Sequence, residues 1–322
     1  MVAIFGALFP IFALVVLGYA VGRKQWLGAD ADHVLNAYVA NIALPALTLN
    51  VLASMHGPDL VEPVMFLVVV GGAALMFAGH YIYERWRGLA RPEANAAAFG
   101  ASYGNHAFIG LPVCLAFLGP ESLAPAAVVV ALNSAFVFGG GTMMSVLTAP
   151  ATSPSGQGEY RGERKGAAVA LLLVLRNPLV IAAILGVTLA STDAALPTPV
   201  SGLLAMIGAT TAPCALIAVG LFMARPVPNT GGTGATVRSL IGKLLMLPIL
   251  AAAMLWILPP MPPAWHNTAL IMAAVPAGSG CFALARYGGE GALRMAARII
   301  AISTLISAIT LPILLLLIGR GL

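Results

Sequence analysis

The residues with most chemistry to offer share one apolar stretch, Phe99-Gly100-Ala101-Ser102-Tyr103-Gly104-Asn105-His106-Ala107-Phe108-Ile109-Gly110-Leu111-Pro112. It collects what a continuous membrane helix avoids: three glycines, a proline, a serine, an asparagine and a histidine. In lipid, backbone groups freed by such a run cost several kcal/mol each unless they are buried in protein or line a wet cavity. The stretch therefore reads as a broken helix that holds a binding site. Asn105 offers two donors and an acceptor, so it either contacts a ligand or caps backbone freed at the break. Ser102 either reaches a ligand or bonds back to the carbonyl four residues earlier. His106 is the one titratable side chain placed at mid-membrane. It is either a neutral, hydrogen-bonded core histidine or a group that binds a proton or helps to hold an anion.

A second run, Ala274-Val275-Pro276-Ala277-Gly278-Ser279-Gly280-Cys281, again sets a proline beside glycines. Each break exposes the N-terminus of a second half-helix, with unpaired N–H groups and about half a positive charge. Two such ends meeting at the midplane suit a carboxylate or another small anion. Gly104, Asn105, His106, Gly110, Pro112, Ser102, Pro276, Gly278 and Ser279 are the candidate binding residues, with Pro112 expected early in a half-helix, where its missing N–H costs nothing. Asn41, one turn before Pro45, and Asn133 are helix-packing glue or cation ligands. No lysine or arginine is expected near the midplane, and no Asp or Glu well inside a span, which argues against a carboxylate proton relay. No cofactor is expected; Na⁺ or H⁺ coupling and uncoupled movement all stay open, with His106, Asn41 and Asn133 the candidate coupling residues.

The elements that must position these residues follow from composition. Of 322 residues 60% are hydrophobic and 8% charged, with a mean hydropathy of +0.96; a soluble domain carries about 25% charged residues. An all-α polytopic membrane protein is the reading. Ten spans of about 20 residues are expected: 3–22, 33–55, 60–82, 94–118, 124–148, 168–190, 197–224, 236–258, 265–287 and 292–318. The hydrophilic run from Pro150 to Glu159, with a basic patch ending at Lys165, splits them five and five. Residues 1–149 form one repeat, 150–166 a cytoplasmic linker and 167–322 the second repeat.

Fifteen of the sixteen Lys and Arg residues, Lys243 among them, fall to the odd-numbered loops, with only Arg320 opposite. The positive-inside rule then places those loops in the cytoplasm of a cell's inner (plasma) membrane and both termini outside. The net charge of +5 thus faces the lipid surface rather than a nucleic acid. The first residues lack a basic n-region and a cleavage site, and read as a retained span. Cys114, Cys214 and Cys281 read as buried free thiols.

The two halves echo each other at an offset of 168: Pro10 with Pro178, Gly18 with Gly186, Pro45 with Pro213, Gly110 with Gly278. Five spans per half force the second to enter from the opposite side, which makes an inverted repeat, the architecture of secondary transporters, with breaks in spans four and nine. Signals for an enzyme are poor. Gly100-Ala101-Ser102-Tyr103-Gly104 fits a nucleophile elbow, but that motif needs a strand before it and acid and His partners on a sheet. No nucleotide-binding loop, H-E-x-x-H or paired acids are present. Gly139-Gly140-Gly141 reads as a close helix contact, and Asn177-Pro178 as a helix start.

The run Asn105 to Pro112, with Asn41-Ile42-Ala43-Leu44-Pro45-Ala46-Leu47 and with Val275-Pro276 before Tyr287-Gly288, resembles the auxin efflux carrier family in its compact bacterial branch. His106 and Ala107 depart from its pattern. The resemblance implies a fold like the bile-acid sodium symporters, with spans 1, 2, 6 and 7 a dimerising scaffold. Spans 3–5 and 8–10 would form a mobile domain whose crossed fourth and ninth helices carry substrate like an elevator. It implies a homodimer, Asn105 on the substrate carboxylate, and a small organic anion such as malate or malonate. A Na⁺-coupled importer of a larger amphipathic acid, or a ligand sensor that does not transport, are the competing expectations.

Overall fold

The computed structural model describes residues 2–55, 62–148, 176–192, 194–225 and 233–319. Among these the chain is helical. The helices are α1 (Val2–Arg23), α2 (Ala31–Ala53), α3 (Pro63–Trp86), α4 (Arg91–Ser102), α5 (His106–Leu118), α6 (Pro120–Ser145), α7 (Pro178–Ser191), α8 (Thr198–Met223), α9 (Thr233–Ile257), α10 (Pro263–Ala274), α11 (Gly280–Ala285) and α12 (Glu290–Ile318). Six of them, α2, α3, α6, α8, α9 and α12, are long and apolar enough to cross a membrane. The expected linker, with its basic patch, and the start of the sixth expected span lie outside the described residues, as does Arg320.

Local sequence sets the helix starts. Asn177 accepts the Leu179 N–H (2.9 Å) to cap α7, and Pro178 occupies its first position, where a missing donor is harmless. Gly119 and Gly289, at φ +88° and +82°, turn the chain sharply into α6 and α12, a conformation glycine adopts without a Cβ penalty. Several helices contain a widened turn, at Val39–Ala43, Leu67–Gly71, His106–Gly110, Asn133–Phe138 and Gly242–Met246. Such turns gather at functional sites. Here Asn41, His106, Asn133 and Lys243 each lie in one.

Two groups of helices result. In the first, α1 packs along α8 and α7 along α2. The contacts are close because Gly18 of α1 faces the Ile217 backbone of α8, Gly220 of α8 faces Val15 and Tyr19 of α1, and Gly186 of α7 faces Leu52 of α2. Between apolar helices in lipid, such small residues supply the van der Waals contact that drives packing. Tyr38 and Thr210 share a hydrogen bond (2.8 Å), and Ser201 donates to Asn50 (2.9 Å), joining α2 to α8.

The second group surrounds α4, an alanine-rich helix buried from Ala94 through Ser102. Asn95 donates to Ser145 of α6 (2.9 Å), Ser239 of α9 donates to the Ala97 carbonyl (3.0 Å), and Phe99 fills the space above Gly141 of α6. At its edge Glu84, fully buried near the end of α3, accepts two bonds from Arg238 of α9, both 2.6 Å, with His80 3.5 Å away. The third span thus runs past 82, and carries a buried carboxylate that the expected boundary leaves out.

Candidate functional site

The fourth and ninth expected spans are not continuous helices. α4 ends at Ser102 and α5 begins at His106; α10 ends at Ala274 and α11 begins at Gly280. The breaks lie against each other. The Asn105 N–H donates to the Pro276 carbonyl (2.8 Å), the Gly278 N–H donates to the Tyr103 carbonyl (3.2 Å), and Gly104 faces Ala277 in an antiparallel bridge. The Ala277 N–H donates to the Ser303 hydroxyl of α12 (3.1 Å). Each break therefore satisfies part of the backbone that the other frees, as buried peptide groups require.

Shape permits this approach. A Cβ on Gly278 would stand 2.6 Å from the Tyr103 ring and 2.9 Å from the Gly104 carbonyl, one on Gly104 2.6 Å from the His106 ring, and one on Gly110 2.5 Å from the Met272 sulfur. Glycine is the residue for close backbone approach. Pro112, expected early in its half-helix, is the second residue of the regular segment Leu111–Leu118, which follows the widened turn His106–Gly110 at the start of α5. Loosening the backbone ladder ahead of a proline accommodates its missing N–H.

At the start of α5 the Ile109 and Gly110 N–H groups both return to the Asn105 carbonyl (3.1 and 3.0 Å). Helix geometry then leaves the amides of His106, Ala107 and Phe108 without an intrahelical acceptor. They border a cavity of about 40 Å³ lined also by Asn105, Asn133, Ser134, Gly278 and Ser279, room for two or three waters at most. Asn105 and Ser279 form a wall shared with a second cavity of about 200 Å³, which extends past Phe108 and Phe282 to Asp32, Arg225 and Arg286. Arg225 pairs with Asp32, and the Arg286 guanidinium lies 5.8 Å from the centre of the Phe282 ring. Asn133 sits beside both Tyr103 and His106. Its Oδ1 and the His106 Nδ1 are buried and have no hydrogen-bond partner among the described residues.

Other candidates lie elsewhere. Asn41 is exposed and donates to its own helix at Ala37 (2.9 Å). Ser102 donates to the Ala98 carbonyl (3.0 Å) and faces a different cavity, between α3 and α6. Gly110, Pro112 and Pro276 hold the breaks together without lining either cavity beside Asn105. Cys114 and Cys281 are buried free thiols, and Cys214 is half-buried.

Lys243 corrects the expectation that no lysine or arginine lies near the midplane. It belongs to α9, ten residues after Thr233, a rise of about 15 Å, half of a hydrocarbon core about 30 Å thick. Its side chain is fully buried, and Nζ donates to the Ala273 carbonyl (2.7 Å) in the last turn of α10. The signal was present in the sequence: Leu240-Ile241-Gly242 and Leu244-Leu245-Met246 flank it in an unbroken apolar run. Burying an ammonium costs several kcal/mol. One charge-assisted hydrogen bond returns about 1.5–3 kcal/mol, so the negative end of the α10 dipole must supply much of the rest.

Paired helix breaks among helices apolar enough to cross a membrane, with a small polar cavity beside them, are the arrangement in which secondary transporters hold their substrates. Comparison with known proteins agrees: residues 3–315 match the family described as "Membrane transport protein", and the chain belongs to that family, the auxin efflux carriers that its motifs resemble. A protein of Rhizobium meliloti (strain 1021) named "Putative malonate transporter" is 29% identical over 329 residues, covering 100% of this chain and 98% of its own length. An "Uncharacterized transporter" of Methanothermobacter thermautotrophicus is 31% identical over 116 residues, 35% of this chain and 38% of its own.

Proposed function

We propose that this membrane transporter is a secondary carrier of small organic anions, a di- or monocarboxylate such as malonate or malate, held at the crossing of the two breaks and moved by elevator-type alternating access. The observation that carries the reading is the pairing of the breaks at Asn105–Pro276 and Gly278–Tyr103. It sets the free amides of the α5 start beside Asn105 and Ser279, in the arrangement that binds carboxylates. Size supports a small acid: about 200 Å³ beside Asn105 falls below the roughly 300–1,000 Å³ of sites for drug-sized ligands, which disfavours a larger amphipathic acid. The name of the Rhizobium relative makes malonate the first substrate to test.

The moving parts in this proposal are α3–α6 with α9–α12, sliding on a scaffold of α1, α2, α7 and α8 that also forms the homodimer. The extensive packing of α1 along α8 and of α7 along α2 supports the scaffold half of that division, and one apolar core, holding Val39 and Leu216 together with Leu111 and Ile271, would be the surface on which the two parts slide. The inverted repeat of residues 1–149 and 167–322 is part of the same reading. It is supported by the reciprocal contacts of Gly18 in α1 with α8 and Gly186 in α7 with α2. With both termini outside, the larger cavity opens toward the cytoplasmic arginines. The substrate would then be an anion drawn in from that side, with no chemical conversion.

Wild type and Asn105→Ala should be reconstituted into liposomes and followed for uptake of labelled malonate under an imposed interior-positive potential, with and without Na⁺ and a pH gradient. The expected result is uptake by wild type that falls at least about tenfold in the variant, the loss of one hydrogen bond to a charged group. Equal uptake by the two proteins would remove the site from the crossing. No uptake by wild type under any gradient would remove malonate, and monocarboxylates would be tested next.

A further inference from the structure

We propose that Lys243 is the fixed cation of this site: its ammonium neutralises the carbonyl end of α10 at the crossing, so that the paired breaks hold an anion without a metal ion there. The inference rests on the carrier reading above and names what supplies the charge. A helix end pointing into a break leaves its last four carbonyls without partners and about half a negative charge. At the end of α10 that charge lies on the far side of the crossing from the proposed anion, which it would repel. Lys243 meets it directly, through the Ala273 carbonyl (2.7 Å), while the His106 ring lies by the neighbouring Met272 carbonyl.

No carboxylate pairs with Lys243 among the described residues; the buried Glu84 is taken by Arg238. The titratable groups that feel it are His106 of α5 and Cys281 of α11, one from the first helix after each break. Lys243 thus has no acid partner among the described residues, and its bond to Ala273 ties it to the last turn of the helix that ends at the second break. A buried ionisable group in a membrane span with no acid partner is a sign of function rather than of packing. Because the charge is on a side chain, it cannot leave with the substrate, and the anion should bind equally well with Na⁺ or without it.

The test uses the full chain, purified as wild type, Lys243→Met and Lys243→Gln, with malonate affinity measured in Na⁺ and in choline at equal ionic strength, beside the melting temperature. Methionine keeps the length and removes the charge; glutamine keeps a donor for the Ala273 carbonyl and also removes the charge. The expected result is wild-type affinity indifferent to Na⁺, and affinity lowered on the order of tenfold to a hundredfold in both variants, the effect of one charge several ångströms away at an effective dielectric constant near 20. Melting temperatures near wild type are expected alongside. Wild-type affinity in Lys243→Gln would overturn the inference, since a donor without charge would then suffice. A wild type that needs Na⁺ to bind would overturn it independently of any variant. A wild type that binds no malonate, malate or monocarboxylate removes the carrier reading itself, whereas binding by wild type and both variants alike removes only the role of Lys243.

Discussion

Single residues divide here by what they would leave behind if removed. Glu84 is fully buried and takes both of its strong bonds from Arg238, whose side chain is 29% exposed. Breaking a fully buried ion pair costs about 3–5 kcal/mol; with one partner reaching solvent or headgroups, about 2 kcal/mol is the expectation for Glu84→Gln. The measurement is the melting temperature of the purified protein, which should fall by several degrees and recover in Glu84→Met combined with Arg238→Met. An unchanged melting temperature in the single variant would show that the pair adds nothing to stability. Replacing Lys243, by contrast, removes a bond to the Ala273 carbonyl together with the cost of burying its ammonium, and the two changes offset each other in stability. Those two buried charges were legible only in part. Hydropathy averages over some twenty residues, so a lysine inside an apolar run is easily assigned to the nearest loop, and a carboxylate two residues from the helix end to the surface. Whether such a group is paired depends on the register between distant helices, such as α3 and α9, which no local pattern encodes.

At the level of the helices, the breaks were the most readable feature, because proline, glycine and polar side chains in lipid have few other uses. Their meeting was implied by the offset of 168 residues, but the bonds that join them were not. A hydrogen bond between Asn105 and Pro276 depends on backbone placement to within a few tenths of an ångström. The widened turn ahead of Pro112 was hidden for the same reason, since it is a small shift in the ladder with no strong compositional mark. Helix packing makes its own prediction. A Cβ on Gly220 would collide with the backbone of Val15 and Tyr19 in α1, whereas one on Gly202 of the same helix meets nothing within 4 Å. Gly220→Ala should therefore cost about 1–3 kcal/mol by overpacking, and Gly202→Ala should gain several tenths from helix propensity. Thermal unfolding of the two variants side by side checks this, and equal stabilities would mean that α1 and α8 do not approach at Gly220.

For the whole molecule, the proposed orientation rests on the one-sided distribution of lysine and arginine. Arg225, Arg286 and the start of α2 at Asp32 border the larger cavity, so in the proposed orientation that cavity faces the cytoplasm. Single cysteines in a cysteine-free background test the proposed topology. With a membrane-impermeant thiol reagent added to intact cells, Pro260→Cys, on the exposed turn before α10, should be labelled at once. Leu27→Cys, on the turn after α1, should need permeabilised cells. The reverse pattern would invert the protein and place the cavity outside. The crossing has a further consequence for how the fold breathes. Ordinarily helix ends are the first places to open, and their amides trade hydrogen for deuterium within seconds. Here four helix ends are buried at the centre and tied to one another through Asn105, Pro276, Gly278 and Tyr103. The amide protons of Asn105 and Gly278 should thus be among the slowest to exchange in the protein, a pattern in which the interruptions of two helices outlast their continuous turns.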